Sequence, residues 1–278
     1  MVTLEAATAT DPGQERGDNQ DRAWAQVYQP SEGESIGLFI VCDGIGGHLG
    51  GECASHWAVE AVRQEVANLF APKDPRGTVA LPQTELAAVS DDLEVTRVSG
   101  LRKMEKLVRQ AIQRANQVVY EYAQQKPAEA GDAGTTITLA LVLSNRAVIG
   151  NVGDSRTYLI RNNKLQQITK DHSLVATMLA NHQIKASEVY THPQRNLIYR
   201  SLGNKNEVEV DIFVQIFKLG DYLLLCSDGL WEMLPDDKLI VQIVTNAETP
   251  QEACRQLVEA ANRAGGEDNI GVVVVKIS

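Results

Sequence analysis

Basic residues are scarce in this chain: 26 Lys and Arg stand against 36 Asp and Glu, a formal net charge of −10 over 278 residues. A nucleic-acid backbone calls for a basic face, so nucleic acid is excluded as the main partner. Cysteine is thin as well. Cys42, Cys53, Cys226 and Cys254 show no CxxC spacing and read as small buried hydrophobes. No apolar run reaches membrane-spanning length, and Met1 to Thr8 carries neither a basic region nor an apolar core. A cytoplasmic protein with no membrane partner is the expectation. Aromatic residues make up only 5%, but the hydrophobic share of 44% suffices for a full core. One domain over 1–278, acting as a monomer, is expected.

What the chain does have is Asp placed at strand ends. Ile36 to Cys42 is an apolar run that stops at Asp43-Gly44, and Tyr222 to Cys226 stops at Ser227-Asp228-Gly229. Each run reads as a buried strand delivering a carboxylate, and the following Gly lets the backbone turn and approach a ligand closely. The reverse arrangement also occurs twice, with Asp21 just before the strand Arg22 to Tyr28 and Asp268 just before Asn269 to Val275. If entering and leaving strands lie antiparallel side by side, all four carboxylates reach one edge. Like charges that close repel, so the cluster makes sense around cations.

Elsewhere the periodicity is helical over Gly51 to Phe70 and again from Leu101 to Tyr122. It switches to period two after Gly134, with short strands at Val148 to Val152 and Arg156 to Arg161. Val208 to Phe217 and Tyr222 to Cys226 read as strands joined in a hairpin by Lys218-Leu219-Gly220-Asp221. Pro235-Asp236-Asp237 opens a helix, and Thr249-Pro250 caps another. Helices in pairs separated by runs of strands predict an α+β fold: two stacked, mainly antiparallel sheets with helices outside them. Two segments stand apart. Residues 71–100 lack sustained periodicity and read as an insertion with a possible docking role, and residues 172–203 read as a flap-like lobe overhanging the acidic edge.

Six motifs follow in order: Arg16-Gly17-Asp18-Asn19-Gln20-Asp21, Asp43-Gly44-Ile45-Gly46-Gly47-His48, Gly134-Thr135-Thr136, Gly153-Asp154-Ser155-Arg156, Ser227-Asp228-Gly229-Leu230-Trp231 and Glu267-Asp268-Asn269. Together they resemble the metal-dependent protein phosphatases of type 2C, in particular their bacterial branch. The resemblance implies a β-sandwich flanked by helices and a binuclear Mg²⁺ or Mn²⁺ centre. It implies a signalling hydrolase that releases phosphate from phosphoserine and phosphothreonine in proteins. By motif, Asp43 bridges both metals, the Gly44 carbonyl binds one, and Asp228 and Asp268 complete the other. Asp21 holds metal-bound waters and Arg16 grips the phosphate. Asp132 is the candidate ligand of a third metal, with Glu129 as rival.

The chemistry is consistent without the resemblance. The candidate ligands are hard oxygens, which suits Mg²⁺ or Mn²⁺ rather than zinc. A water bridging two such ions is held near hydroxide and attacks phosphorus in line, while the planar fork of Arg16 suits a phosphate. His48 is a candidate general acid or water-orienting group. Departures are Ile45, where the eukaryotic branch has a His, Gln20 in place of a common Glu, and Ala133 in place of a common Met. A second reading, a catalytically silent relative that binds phosphoproteins or a partner, stays open at this point.

Overall fold

The computed structural model describes residues 2–30, 34–47, 49–70, 93–130 and 132–278. Period-two strands with both faces apolar require cover on both sides, and the fold supplies it by stacking two sheets between helices. The first sheet has the order β1 (Leu4–Asp11), β12 (Ile270–Ile277), β11 (Tyr222–Cys226), β8 (Arg156–Arg161) and β9 (Lys164–Gln167). The second has the order β10 (Asp211–Ile216), β7 (Arg146–Val152), β6 (Ile137–Leu143), β3 (Ile36–Cys42) and β2 (Arg22–Tyr28). Neighbouring strands in both are antiparallel. A short pair, β4 (Gly44–Ile45) with β5 (Gly134–Thr135), lies beside them.

Alternation divides the side chains among three cores. Along β3, Phe39 and Val41 enter the cluster between the sheets, while Leu38, Ile40 and Cys42 pack outward. Their outward cover is α1 (Leu49–Phe70) and α2 (Leu93–Gln125), through residues such as Ala58, Val62, Ile112 and Val119. Along β12, Val273 and Val275 face inward, and Val272 and Val274 pack against α6 (Asp237–Asn246) and α7 (Pro250–Arg263). The result is a helix-sheet-sheet-helix stack, as the order of elements predicts. The caps also follow the sequence: Asp236 Oδ1 accepts the Lys238 N–H, and Thr249 Oγ1 accepts the Glu252 N–H with Pro250 at the first helical position.

Three expectations need correction. The irregular segment expected over 71–100 lies outside the described residues up to residue 92, but from Leu93 the chain is already helical. Gly100, which reads as a boundary in sequence, sits inside α2 with open space where a Cβ would be. The turn Lys218 to Asp221 does not join a hairpin, because β10 and β11 belong to different sheets. It crosses the sandwich, seating Phe217 in the intersheet core and burying Asp221, whose carboxylate accepts from Lys218 N at 2.7 Å and Arg161 Nε at 2.9 Å. Of the four cysteines, Cys53 is only partly buried.

The lobe consists of α4 (Leu174–Ala180), a 3-10 turn (Ala186–Thr191) and a returning stretch. That stretch is pinned by Leu174 N–H to the Leu197 carbonyl at 2.8 Å and by Tyr199 N–H to the His172 carbonyl at 2.9 Å. Arg195 ties it down further, reaching Glu232 at 2.9 Å and Glu267 at 2.8 Å.

Candidate active site

The register brings the carboxylates together. Arg22 lies opposite Cys42 in the β2–β3 pair, so Asp21 and Asp43 leave the second sheet side by side. Cys226 lies opposite Val272 in the β11–β12 pair, so Asp228 and Asp268 leave the first sheet at the same end. Asp43, Asp228 and Asp268 line one cavity of about 380 Å³, together with Arg16, Gly44 and, from the lobe, Asn196 and Ile198. A larger cleft of about 790 Å³ lies between β8, β9 and the lobe, but its arginines are already paired, Arg156 with Asp171 at 2.7 Å and Arg200 with Asp211 at 2.9 Å. The smaller cavity carries the chemistry.

Asp21 lies behind the cavity wall with no exposure. Its Oδ2 accepts the Ser227 hydroxyl at 2.6 Å, a bond that links the two sheets, while Oδ1 has no hydrogen-bond partner among the described residues. Burial pushes its carboxyl up to about 7, against the pull of the Ser227 hydroxyl. Asp43 is anchored by its main chain, its N–H donating to Thr136 Oγ1 at 3.1 Å and its carbonyl accepting from Thr135 Oγ1 at 2.8 Å and Thr136 N at 2.9 Å. Burial, then the charges of Asp228, Asp21, Asp154 and Asp268, hold it well above the usual carboxylate range. Asp228 is raised in the same way, first by burial and then by Asp154 and Asp268.

The backbone around these groups is packed to contact. A Cβ on Gly44 would fall 2.3 Å from the Gly51 carbonyl oxygen, and one on Gly229 would fall 2.0 Å from that of Asn269. Only glycine permits these approaches. Asn269 fixes the N-terminal loop, accepting from Gln20 N at 2.8 Å and donating to the carbonyls of Pro12 at 2.9 Å and Asp18 at 2.8 Å. Arg16, in the middle of that loop, has its side chain 54% exposed and reaches Asp268 Oδ2 at 2.8 Å.

One described candidate is not brought in. Asp132 is exposed and does not line the cavity, although its carbonyl packs against Gly46, which does. His48 and the side chain of its neighbour Leu49 lie outside the described residues, as does the side chain of Glu129. One group was missed. Asp154 lines the cavity at 4% exposure, with burial and then Asp171 pushing its carboxyl up to about 7. Its signal was present in Gly153-Asp154-Ser155-Arg156, a motif without an apolar run ending on the Asp.

Among the described residues, side chains alone do not close a three-ligand cage. The arrangement still fits divalent cations. The carboxylate and carbonyl oxygens facing the cavity are hard ligands, burial and then neighbouring carboxylates hold Asp43 and Asp228 above their ordinary range, and among the described residues the buried Asp21 Oδ1 lacks a donor.

The sequence profile of the family described as Protein phosphatase 2C matches residues 14–261. The serine/threonine phosphatase stp of Listeria monocytogenes is 34% identical over 273 residues, covering 98% of this chain and 96% of that protein. The crystal structure of the serine/threonine phosphatase Stp1 from Staphylococcus aureus superimposes with a TM-score of 0.79 at 33% identity, over 99% of this chain and 96% of that one. The catalytic domain of the serine threonine protein phosphatase PstP, solved in complex with 2 manganese ions, gives a TM-score of 0.77 at 28% identity over 100% and 99% of the two chains.

Proposed function

The chain belongs to the protein phosphatase 2C family, and from that premise we propose how its acidic edge performs the family's reaction. It is a serine/threonine protein phosphatase dependent on a divalent metal, and its substrates are phosphoproteins. The observation that carries the assignment of the site is the convergence of Asp43, Asp228 and Asp268 from two different sheets on one cavity beside Arg16.

In this reading Asp43 would serve both of two ions, Mg²⁺ or Mn²⁺, with the Gly44 carbonyl serving one and Asp228 with Asp268 serving the other. Bound ions supply an activated water and neutralise charge on the phosphoryl group. The chain does the rest. Asp21, buried behind the wall with an acceptor that has no partner among the described residues, orders water toward the site. Arg16, reaching over the cavity to Asp268, presents the same planar donors to a phosphate. Asn196 and Ile198 cover the cavity from the lobe and limit solvent beside the reacting group. Asp154 within the cavity would hold a third cation, with Asp132, beside Gly46 but outside the cavity lining, as the sequence candidate for the same ion. His48 serves as general acid or orients a water. We assign the work to a single domain over 1–278, as a cytoplasmic monomer; among the described residues no helix is long and apolar enough to cross a membrane.

No observation favours a silent binding domain, since the acidic set is complete. The test is phosphate release from a phosphothreonine peptide by metal-stripped protein. Activity is expected on adding Mn²⁺ or Mg²⁺ and none in chelator; full turnover in chelator would overturn the reading.

A further inference from the structure

One buried residue joins the carboxylate edge to the lobe and has no part in the reaction described so far. His172 is 3% exposed and forms a reciprocal pair with Gly153. Its own N–H donates to the Gly153 carbonyl at 3.0 Å, and the Gly153 N–H donates to His172 Nδ1 at 3.0 Å. Its carbonyl accepts the Tyr199 N–H at 2.9 Å. The partners are one residue away from Asp154 on one side and from Ile198 on the other, and both of those line the cavity.

The Gly153 turn needs such a hold. Gly153 has φ of +105°, and a Cβ there would lie 2.6 Å from the Thr136 side chain, so no side chain of its own can brace it. Burial, then the Arg200 guanidinium, keeps the His172 ring below its ordinary pKa, so Nδ1 retains the lone pair that Gly153 uses. On the far side of Asp154, Trp231 Nε1 donates to the Asp154 carbonyl at 3.1 Å, and Trp231 is itself fixed by the Arg156 guanidinium stacked 3.4 Å over its ring. The Asp154 segment is therefore held from both ends by groups outside the cavity.

We propose that His172 is a positioning residue that sets the Asp154 carboxylate in the metal cavity and the Ile198 wall over it as one unit. The inference rests on the cation-binding reading of the cavity. It acts through geometry: the Nδ1 acceptor fixes the Gly153 peptide, and the His172 carbonyl fixes the lobe at Tyr199. Outer groups that orient a metal site characteristically change metal affinity by about 10–100-fold when removed.

The test compares two variants of similar polarity. His172→Asn leaves an acceptor on Cγ, where Nδ1 now stands, and His172→Gln moves it one bond farther out. Mn²⁺ binding to the metal-stripped protein is measured by calorimetry, and kcat and KM are measured on p-nitrophenyl phosphate and on a phosphothreonine peptide. His172→Asn is expected to stay near wild type, while His172→Gln weakens Mn²⁺ binding by about tenfold and lowers kcat on both substrates, at matched melting temperatures. Equal behaviour of the two variants overturns the proposal. Trp231→Phe, which keeps an aromatic ring under Arg156 but loses the donor to Asp154, provides the second arm; unaltered Mn²⁺ affinity there also overturns it. A wild-type protein that binds no Mn²⁺ brings down the underlying metal reading instead.

Discussion

A carboxylate in water ionises freely at neutral pH, but Asp21 and Asp154 are enclosed by protein, and both are pushed from 3.8 up to about 7 by burial. The sign of the consequence follows directly. Between those values the folded chain holds protons that the unfolded chain has released, so stability from these groups is complete below about pH 4 and is lost as pH rises through about 7. Most buried acids that are salt-bridged behave in the opposite way. In chelator, the melting temperature is expected to fall between about pH 4 and about pH 7, and saturating Mn²⁺ is expected to flatten that fall by replacing the proton as partner. Scanning calorimetry in both conditions checks this; a melting temperature that climbs with pH in chelator contradicts it. The residue scale also shows what sequence could reveal. Asp43, Asp228, Asp21 and Asp268 were legible because each abuts an apolar run. Asp154 sits in a turn between β7 and β8, where only the fold reveals that its carboxylate faces the others.

Among the elements, the strands that deliver carboxylates depend on close backbone contact with their neighbours. The Gly44 Cα packs so tightly that an added methyl carbon would fall 2.3 Å from the Gly51 oxygen and 2.7 Å from that of Gln20. Both are main-chain atoms that cannot swing aside. Gly44→Ala should therefore cost about 1–3 kcal/mol in urea unfolding and lower phosphate release by roughly 100-fold through displacement of the Asp43–Gly44 turn; wild-type stability and turnover would contradict the packing argument. Elements with strict periodicity were readable from sequence, because a strand buried on both faces or a helix with one apolar stripe has few alternatives. The Lys218 to Asp221 turn was not. Its Gly220, with φ of +85°, suits a hairpin and a sheet crossing equally well. What decides between them is tertiary: Phe217 seated between the sheets and Asp221 paired with Arg161. Leu93 to Gly100 was missed because a glycine in a polar stretch resembles a boundary until the helix that continues through it is seen.

At the scale of the molecule, the site exists only where two sheets meet. One contributes Asp21 and Asp43, the other Asp228 and Asp268, and the Ser227 to Asp21 bond at 2.6 Å stitches them together behind the cavity. The stacked sheets hold like charges in place, and the cations give that arrangement its purpose. Asp43 is central to this account, since it alone is assigned to both ions. The most direct measurement is a calorimetric titration of metal-stripped Asp43→Asn with Mn²⁺, run beside phosphate release from a phosphothreonine peptide. The substitution conserves shape and removes only the charge. The account expects the pair of ions to be lost together and turnover to drop to background while the melting temperature in chelator holds or rises. Asp43→Asn that still binds both ions and still releases phosphate contradicts it.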